Sequence, residues 1–245
     1  MTGSKRQPNK FIINRLNGII MKKIVVAFYT LVCLNAHAQK PVMKPLFNGK
    51  DLNGWYSFLT SKGKNNDPEK VFIVENGLLH ISGKEFGYIC TEKVFGNFHL
   101  AVEFKWGTKK YPPRDADSTR RDNGILYYVP VDAKDIVWPK SIECQIQEGD
   151  VGDFWLVDHT TIVVDGKRTP PDSAYLRVVK KRDAERPSGE WNRVEVIANK
   201  GKITYIVNGI VVNEGEDPSL TKGKIIIQSE GAEIYYRKIE IAELK

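Results

Sequence analysis

From residue 40 onward, apolar and polar residues alternate at a spacing of two, and helical spacing is hard to find. Val71-Phe72-Ile73-Val74 and Leu78-Leu79-His80-Ile81 flank Glu75-Asn76-Gly77, and residues 203–207 and 210–212 flank Asn208-Gly209. Asn-Gly between β-rich runs predicts a two-residue hairpin, because a type I′ turn needs positive φ at both central residues. Further strands are predicted at 86–91, 97–106, 123–130, 140–148, 153–157, 160–165, 174–179, 190–199, 224–230 and 233–243. So many short strands predict an all-β fold, a two-sheet antiparallel sandwich of jelly-roll type. Two polar stretches, 108–122 (TKKYPPRDADSTRRD) and 180–189, read as long loops. Long loops inside a compact domain are often functional.

The N-terminal part has a different character. Lys22 and Lys23 precede the apolar run IVVAFYTLVCL over 24–34, and Ala36-His37-Ala38 follows. This is the pattern of a secretory signal with cleavage after Ala38. An apolar run of 11 residues is well short of the roughly 20 that span a bilayer, so no stable membrane insertion is expected of the mature form. We therefore expect a leader and signal peptide over 1–38, one β-sandwich domain over 39–245, and a periplasmic or secreted product.

Export changes the reading of the charge. The whole chain is +7, but six of its 37 basic residues and none of its 30 acidic ones lie in 1–38, so residues 39–245 carry +1. That balance gives no electrostatic footprint for nucleic acid. Cys90 and Cys144 both fall in strand-like segments and read as buried free thiols, with a disulfide the alternative in an oxidising compartment. No cysteine or histidine spacing suggests a zinc site.

The candidate chemistry sits on one strand. In Ser141-Ile142-Glu143-Cys144-Gln145-Ile146-Gln147, the apolar residues face one way, toward the core. Ser141, Glu143, Gln145 and Gln147 face the other. Carboxylates and amides in a row suit the hydroxyls of a sugar. Glu148, Asp153 and Trp155 follow, and a flat indole beside carboxylates suits the C–H face of a pyranose. Other polar residues on strand faces join the list: Glu103 with Lys105, Asn123 at the end of the long loop, Gln228 with Glu230, and Arg237 inside an apolar strand. His159 is one of three histidines beyond residue 38. The expected partner is a small-molecule carbohydrate.

Seven blocks then acquire a common meaning. They are Leu46-Phe47-Asn48-Gly49-Lys50-Asp51-Leu52-Asn53-Gly54-Trp55, Gly96-Asn97-Phe98-His99-Leu100 with Glu103-Phe104, Asn123-Gly124-Ile125, Glu143-Cys144-Gln145, Glu190-Trp191-Asn192, Val207-Asn208-Gly209, and Gln228-Ser229-Glu230-Gly231 with Tyr236-Arg237. In this order they resemble the 3-keto-disaccharide hydrolase domain family over nearly all of 46–244. The resemblance implies a concanavalin A-like jelly roll acting on glycosides oxidised at C3. A C3 ketone acidifies the C2 hydrogen, so a base can form an enolate and expel the C1 oxygen, with water adding afterwards. On that chemistry Glu143 or His159 is the expected base, Glu148 or Asp153 the acid, and Arg237 or a bound divalent cation the enolate's counter-charge. Two rival readings stand beside it. One is a non-catalytic carbohydrate-binding module on the same sandwich. The other is a direct glycosidase, because Glu143-x-Gln145-x-x-Glu148 resembles the E-x-D-x-x-E pattern of laminarinase-type endoglucanases, with Gln for the central Asp.

Overall fold

A computed structural model describes residues 41–245; the leader, the signal pattern and Cys33 lie outside the described residues. The described chain forms eighteen strands and no helix. In chain order they begin with β1 (Lys44–Pro45), β2 (Trp55–Leu59), β3 (Gly63–Lys64), β4 (Phe72–Glu75), β5 (Leu78–Ile81) and β6 (Gly87–Thr91). The long β7 (Phe98–Lys110) is followed by β8 (Gly124–Val129), β9 (Ser141–Gln145), β10 (Phe154–Val157), β11 (Val163–Val164) and β12 (Lys167–Arg168). The last third holds β13 (Tyr175–Val178), β14 (Asn192–Asn199), β15 (Lys202–Val207), β16 (Ile210–Glu216), β17 (Lys224–Ser229) and β18 (Ala232–Glu243).

Two antiparallel sheets result. The ten-stranded sheet runs β12-β11-β16-β15-β14-β7-β18-β5-β4, with β1 on β18, and the eight-stranded sheet runs β13-β10-β9-β8-β17-β6-β2-β3. The predicted Asn-Gly hairpins close as expected: Asn76 and Gly77 have φ of 52° and 78°, Asn208 and Gly209 of 49° and 84°. Other boundaries differ from the alternation pattern. The predicted strand 160–165 shrinks to Val163–Val164, because Asp158 and His159 take φ of 53° and 60° and turn the chain before it. The strand predicted to run to 148 ends at Gln145, where the Gln145 side-chain oxygen accepts from the backbone N–H of Ile146 and Gln147.

The main core lies between the sheets. Leu100, Val102 and Phe104 of β7 and Val194 and Val196 of β14 meet Ile142, Cys144, Phe154 and Ile227 of the smaller sheet. On β14 and β15 the second face is half-exposed, so the larger sheet turns one side to water. The central strands of the smaller sheet are buried on both faces. Part of their outer face carries a second apolar cluster of Phe58, Tyr88, Cys90, Leu126, Val129 and Ile226. The segment 130–140 crosses over that cluster: Ala133 packs on it, and Asp135 accepts from the hydroxyls of Tyr56 and Tyr88.

Both cysteines are free and buried. Cys144 points into the main core and Cys90 into the outer cluster, so the sheet itself lies between them. Their strands are three positions apart, about 14 Å at the usual strand spacing, which is beyond disulfide reach.

Candidate active site

Alternation along β9 sends Glu143 and Gln145 to the outer face of the smaller sheet, and neighbouring strands add to them there. Trp155 of β10 is the cross-strand partner of Glu143, and Tyr175 of β13 that of Val157. These side chains line a cavity of about 420 Å³. Its remaining walls are Gln147, Glu230 from just beyond β17, Arg114 and Asp122 from the 111–123 loop, and Trp138 from the 130–140 segment. The volume lies in the range of small-ligand sites, which run from about 300 to 1,000 Å³.

Three carboxyl groups meet here, and they are not equivalent. Asp122 is ion-paired with Arg114 and accepts from Gln147 Nε2 at 2.7 Å. Glu230 accepts from the Trp138 indole N–H and from Gln228 Nε2 at 3.1 Å, both on Oε1. Glu143 is only 6% exposed and has no ion-pair or side-chain hydrogen-bond partner among the described residues. Burial, then the charges of Glu230 and Asp122, push the Glu143 carboxyl well above the ordinary carboxylate range. Burial and Asp122 raise Glu230 to about 8, against the opposing pull of Trp138 and Arg114. Burial also raises Asp122, with Arg114 and Gln147 opposing it.

The supporting residues fix these orientations. Gly124 of β8 lies beneath Glu143 and Gln228, and a Cβ there would overlap the Oε1 atoms of both. Asn123 is a structural neighbour rather than a lining residue: it donates to Gln228 O at 2.5 Å and accepts from Tyr236 at 2.6 Å. The Gln145 oxygen is occupied by two backbone N–H groups at 2.9 and 3.2 Å, which leaves its amide N–H groups for the cavity. The loop bearing Arg114 and Asp122 is wrapped around Lys110, whose ammonium donates to the carbonyls of Ala116 and Thr119.

Of the expected site residues, the cavity brings together Glu143, Gln145, Gln147, Trp155 and Glu230, with Gln228 directly behind. It does not gather the others. Glu103, Lys105 and Arg237 belong to β7 and β18 of the larger sheet, and the core separates them from the cavity. There Glu103 pairs with Arg193, Arg237 and Lys238, while Arg237 and Lys105 sit 4.4 and 5.2 Å from the Trp191 ring. His159 lies on the turn after β10 and donates Nδ1–H to Pro171 O at 3.0 Å. Glu148 pairs with Arg121 at 3.1 Å, beyond the end of β9. Asp153 is fully buried and bound by Arg177 and the Lys180 N–H. The laminarinase-type pair of Glu143 with Glu148 is therefore not assembled at the cavity. Arg114, Trp138, Val157 and Tyr175 join the cavity without having been expected there, as does Asp122; the sequence signals for Arg114 and Asp122 are the length and charge of the 108–122 loop and the polar pair Asp122-Asn123 that opens the next strand. Replacing His159 with Asn is expected to leave turnover unchanged in a steady-state assay, which a base role for His159 does not permit.

Among the described residues no group of three or more His, Cys, Asp or Glu has the arrangement to hold a metal ion. No helix among them is long and apolar enough to cross a membrane.

A jelly-roll sandwich with carboxyl groups and indoles converging on one sheet face defines a carbohydrate-active protein, an enzyme or a binder. Solved structures share the architecture. A provisionally assigned glycosyl hydrolase from Parabacteroides distasonis is 23% identical, with 83% of this chain and 94% of that one covered and a TM-score of 0.57. The Bacillus licheniformis beta-glucanase is 11% identical, with 84% and 98% covered and a TM-score of 0.52. Carbohydrate-binding module CBM66 from Bacillus subtilis is 10% identical, with 78% and 96% covered and a TM-score of 0.50. No curated protein matches the sequence. The family model described as the 3-keto-alpha-glucoside-1,2-lyase-like domain matches residues 42–242, and the chain belongs to that family.

Proposed function

We propose that the protein is an exported enzyme that cleaves 3-keto-glycosides by removing the C2 proton and expelling the C1 oxygen. The observation that carries this reading is the pair of buried carboxyls, Glu143 and Glu230, at an aromatic-walled cavity whose one lining cation, Arg114, is ion-paired with Asp122. A carboxyl without a cation partner in such a place holds its proton, and a held proton is what a departing C1 oxygen needs. Glu143 is thus the acid. Glu230 is the base: two N–H donors on Oε1 support its carboxylate and leave Oε2 free. The C2–H electrons move into a C1–C2 double bond as the C1–O bond breaks. Glu230 takes the C2 proton and Glu143 gives its own to the leaving alcohol. Arg114 and the free Gln145 amide supply donors for the C3 oxygen, where negative charge develops. Proton exchange between the two carboxyls restores the starting state, and addition of water to the enone completes net hydrolysis. The family match and the Lys22–Ala38 pattern support the 3-keto substrate and the export, respectively.

The test is incubation with a 3-keto-glucoside and with its unoxidised parent. The expected result is release of the alcohol and an enone-type ultraviolet band from the keto compound alone. Its kcat/KM should rise with pH toward about 8, as Glu230 loses its proton, and fall where Glu143 is ionised as well. Cleavage of the parent points instead to a direct glycosidase. Binding of both compounds without cleavage of either points to a binding module.

A further inference from the structure

The cavity is divided. Asp122, Glu143, Gln145, Gln147, Arg114 and Glu230 make one side polar; Trp155, Val157, Tyr175 and Trp138 make the other apolar. Because Glu143 and Trp155 are cross-strand partners, the boundary runs between β9 and β10.

Apart from the Trp155 indole N–H and the Tyr175 hydroxyl, the side-chain polar groups near the apolar side are engaged. The Trp138 indole N–H is donated to Glu230. Ser141, the cross-strand partner of Val157, donates its hydroxyl to Pro139 O at 2.8 Å. Arg177, the partner of Trp155, is bound by Asp150 and Asp153. At the rim, Tyr175 is 53% exposed and Trp138 38%, with their rings edge to face at 6.3 Å. Ile136, two residues before Trp138, is 52% exposed. Large apolar side chains left in water around a cavity mark a surface that something covers.

The two sides suit two different halves of a glycoside. A sugar ring offers hydroxyls around its whole edge, and a hydroxyl buried without a partner is unfavourable. The polar side can receive one ring. A second sugar placed against Trp155, Val157 and Trp138 can lay its C–H face on an indole, but its hydroxyl edge finds only the Trp155 indole N–H and the Tyr175 hydroxyl. A flat apolar group needs no such partners and gains from the indole and phenol faces.

We infer that the leaving-group side of the cavity takes an aromatic or other flat apolar aglycone in preference to a second sugar, with Trp138 and Tyr175 determining that specificity. The inference rests on the cavity being the site of glycosidic cleavage proposed above.

Three 3-keto-glucosides matched in anomeric configuration test it: benzyl, methyl and glucosyl. Benzyl alcohol and methanol leave with similar ease, so the comparison reads binding rather than leaving-group chemistry. The benzyl compound is expected to have a kcat/KM about tenfold above the methyl compound. The glucosyl compound, whose leaving hydroxyl is more acidic than methanol, is judged by binding, and it should bind no more tightly than methyl. Tyr175→Ala should bring the benzyl-to-methyl ratio toward one. Calorimetry with the unoxidised benzyl, methyl and glucosyl glucosides reads these preferences without chemistry. Tighter binding of the glucosyl than of the benzyl compound overturns the inference. So does a benzyl preference that survives both Tyr175→Ala and Trp138→Leu. If no 3-keto compound reacts yet benzyl glucoside still binds better in a Tyr175-dependent way, the elimination reading falls and the apolar subsite stands.

Discussion

Glu143→Gln is expected to lower turnover of a 3-keto-glucoside about 10³-fold while raising the stability of the fold. The two effects have one cause. A carboxyl at this position is buried, lies close to two other acids, and has one oxygen over Gly124 beside the Gln228 oxygen. The substituted amide has the same shape, cannot ionise, and brings an N–H that can point at the Gln228 oxygen. It has no acidic proton to give to a leaving alcohol. The pH dependence follows from the direction of the shifts. Glu143 and Glu230 have folded-state values above their unfolded ones, so they hold protons that the unfolded chain releases. Their contribution to stability is fully present below about pH 4.5, the ordinary Glu range. It declines as pH rises through the interval up to about 8 for Glu230, and through the raised range of Glu143. Thermal denaturation at pH 5 and pH 8 should show the wild-type midpoint falling across this interval. The variant should fall less steeply and unfold about 3 °C or more above wild type at pH 8. A variant that is less stable at pH 8, or that keeps near-normal turnover, contradicts the placing of a protonated acid here.

The residues legible in the sequence are those whose neighbours share their strand. Period-two alternation put Ile142, Cys144 and Ile146 inward and Glu143 and Gln145 outward, and the core residues lie where that rule sends them. The same rule has no means of saying which sheet a strand joins. Glu103 and Lys105 alternate as cleanly as Glu143 does, and Arg237 stands out as a charge in an apolar strand, but β7 pairs with β14 and β18, and neither β7 nor β18 pairs with β8, so their outward faces lie across the core. Asn-Gly turns were legible because the dipeptide demands its own backbone conformation. The Lys200-Gly201 turn between β14 and β15 was not, although its φ values of 49° and 77° match those of the Asn-Gly pairs. Arg114, Asp122 and Trp138 reach the cavity from irregular segments held by long-range bonds, such as Asp135 to Tyr56 and Tyr88. No local spacing encodes such bonds. The pairing partner of Glu143 was equally hidden: Glu230 shares an outward face with Gln228 in the sequence, but its nearness to Glu143 depends on β8 lying between β9 and β17.

That intervening strand is the basis of a second large effect, at a residue that has no side chain. Gly124→Ala is expected to reduce turnover by 10²-fold or more and also to lower stability by about 1–3 kcal/mol, as overpacking of a filled interior does. Gly124 is not at a positive φ, so the backbone conformation accepts alanine. The difficulty is space. The added methyl would occupy the place where the Glu143 and Gln228 oxygens converge. β8, β9 and β17 are buried on both faces and cannot part to make room. The side chains must therefore swing away. Moving Gln228 withdraws its 3.1 Å hydrogen bond from Glu230, and moving Glu143 takes the acid away from its position beside Trp155. Chromatography and circular dichroism establish that the variant is folded; its thermal midpoint and kcat/KM are then compared with those of Glu143→Gln. Both variants lose turnover, but their stabilities move in opposite directions, which separates removal of the proton from displacement of the group that bears it. Combining them gives a sharper reading. If Gly124 acts by holding Glu143 in place, the double variant should be scarcely less active than Glu143→Gln alone, because neighbouring residues that serve one function do not add. Losses that multiply in full would mean that Gly124 supports the site by a route independent of Glu143.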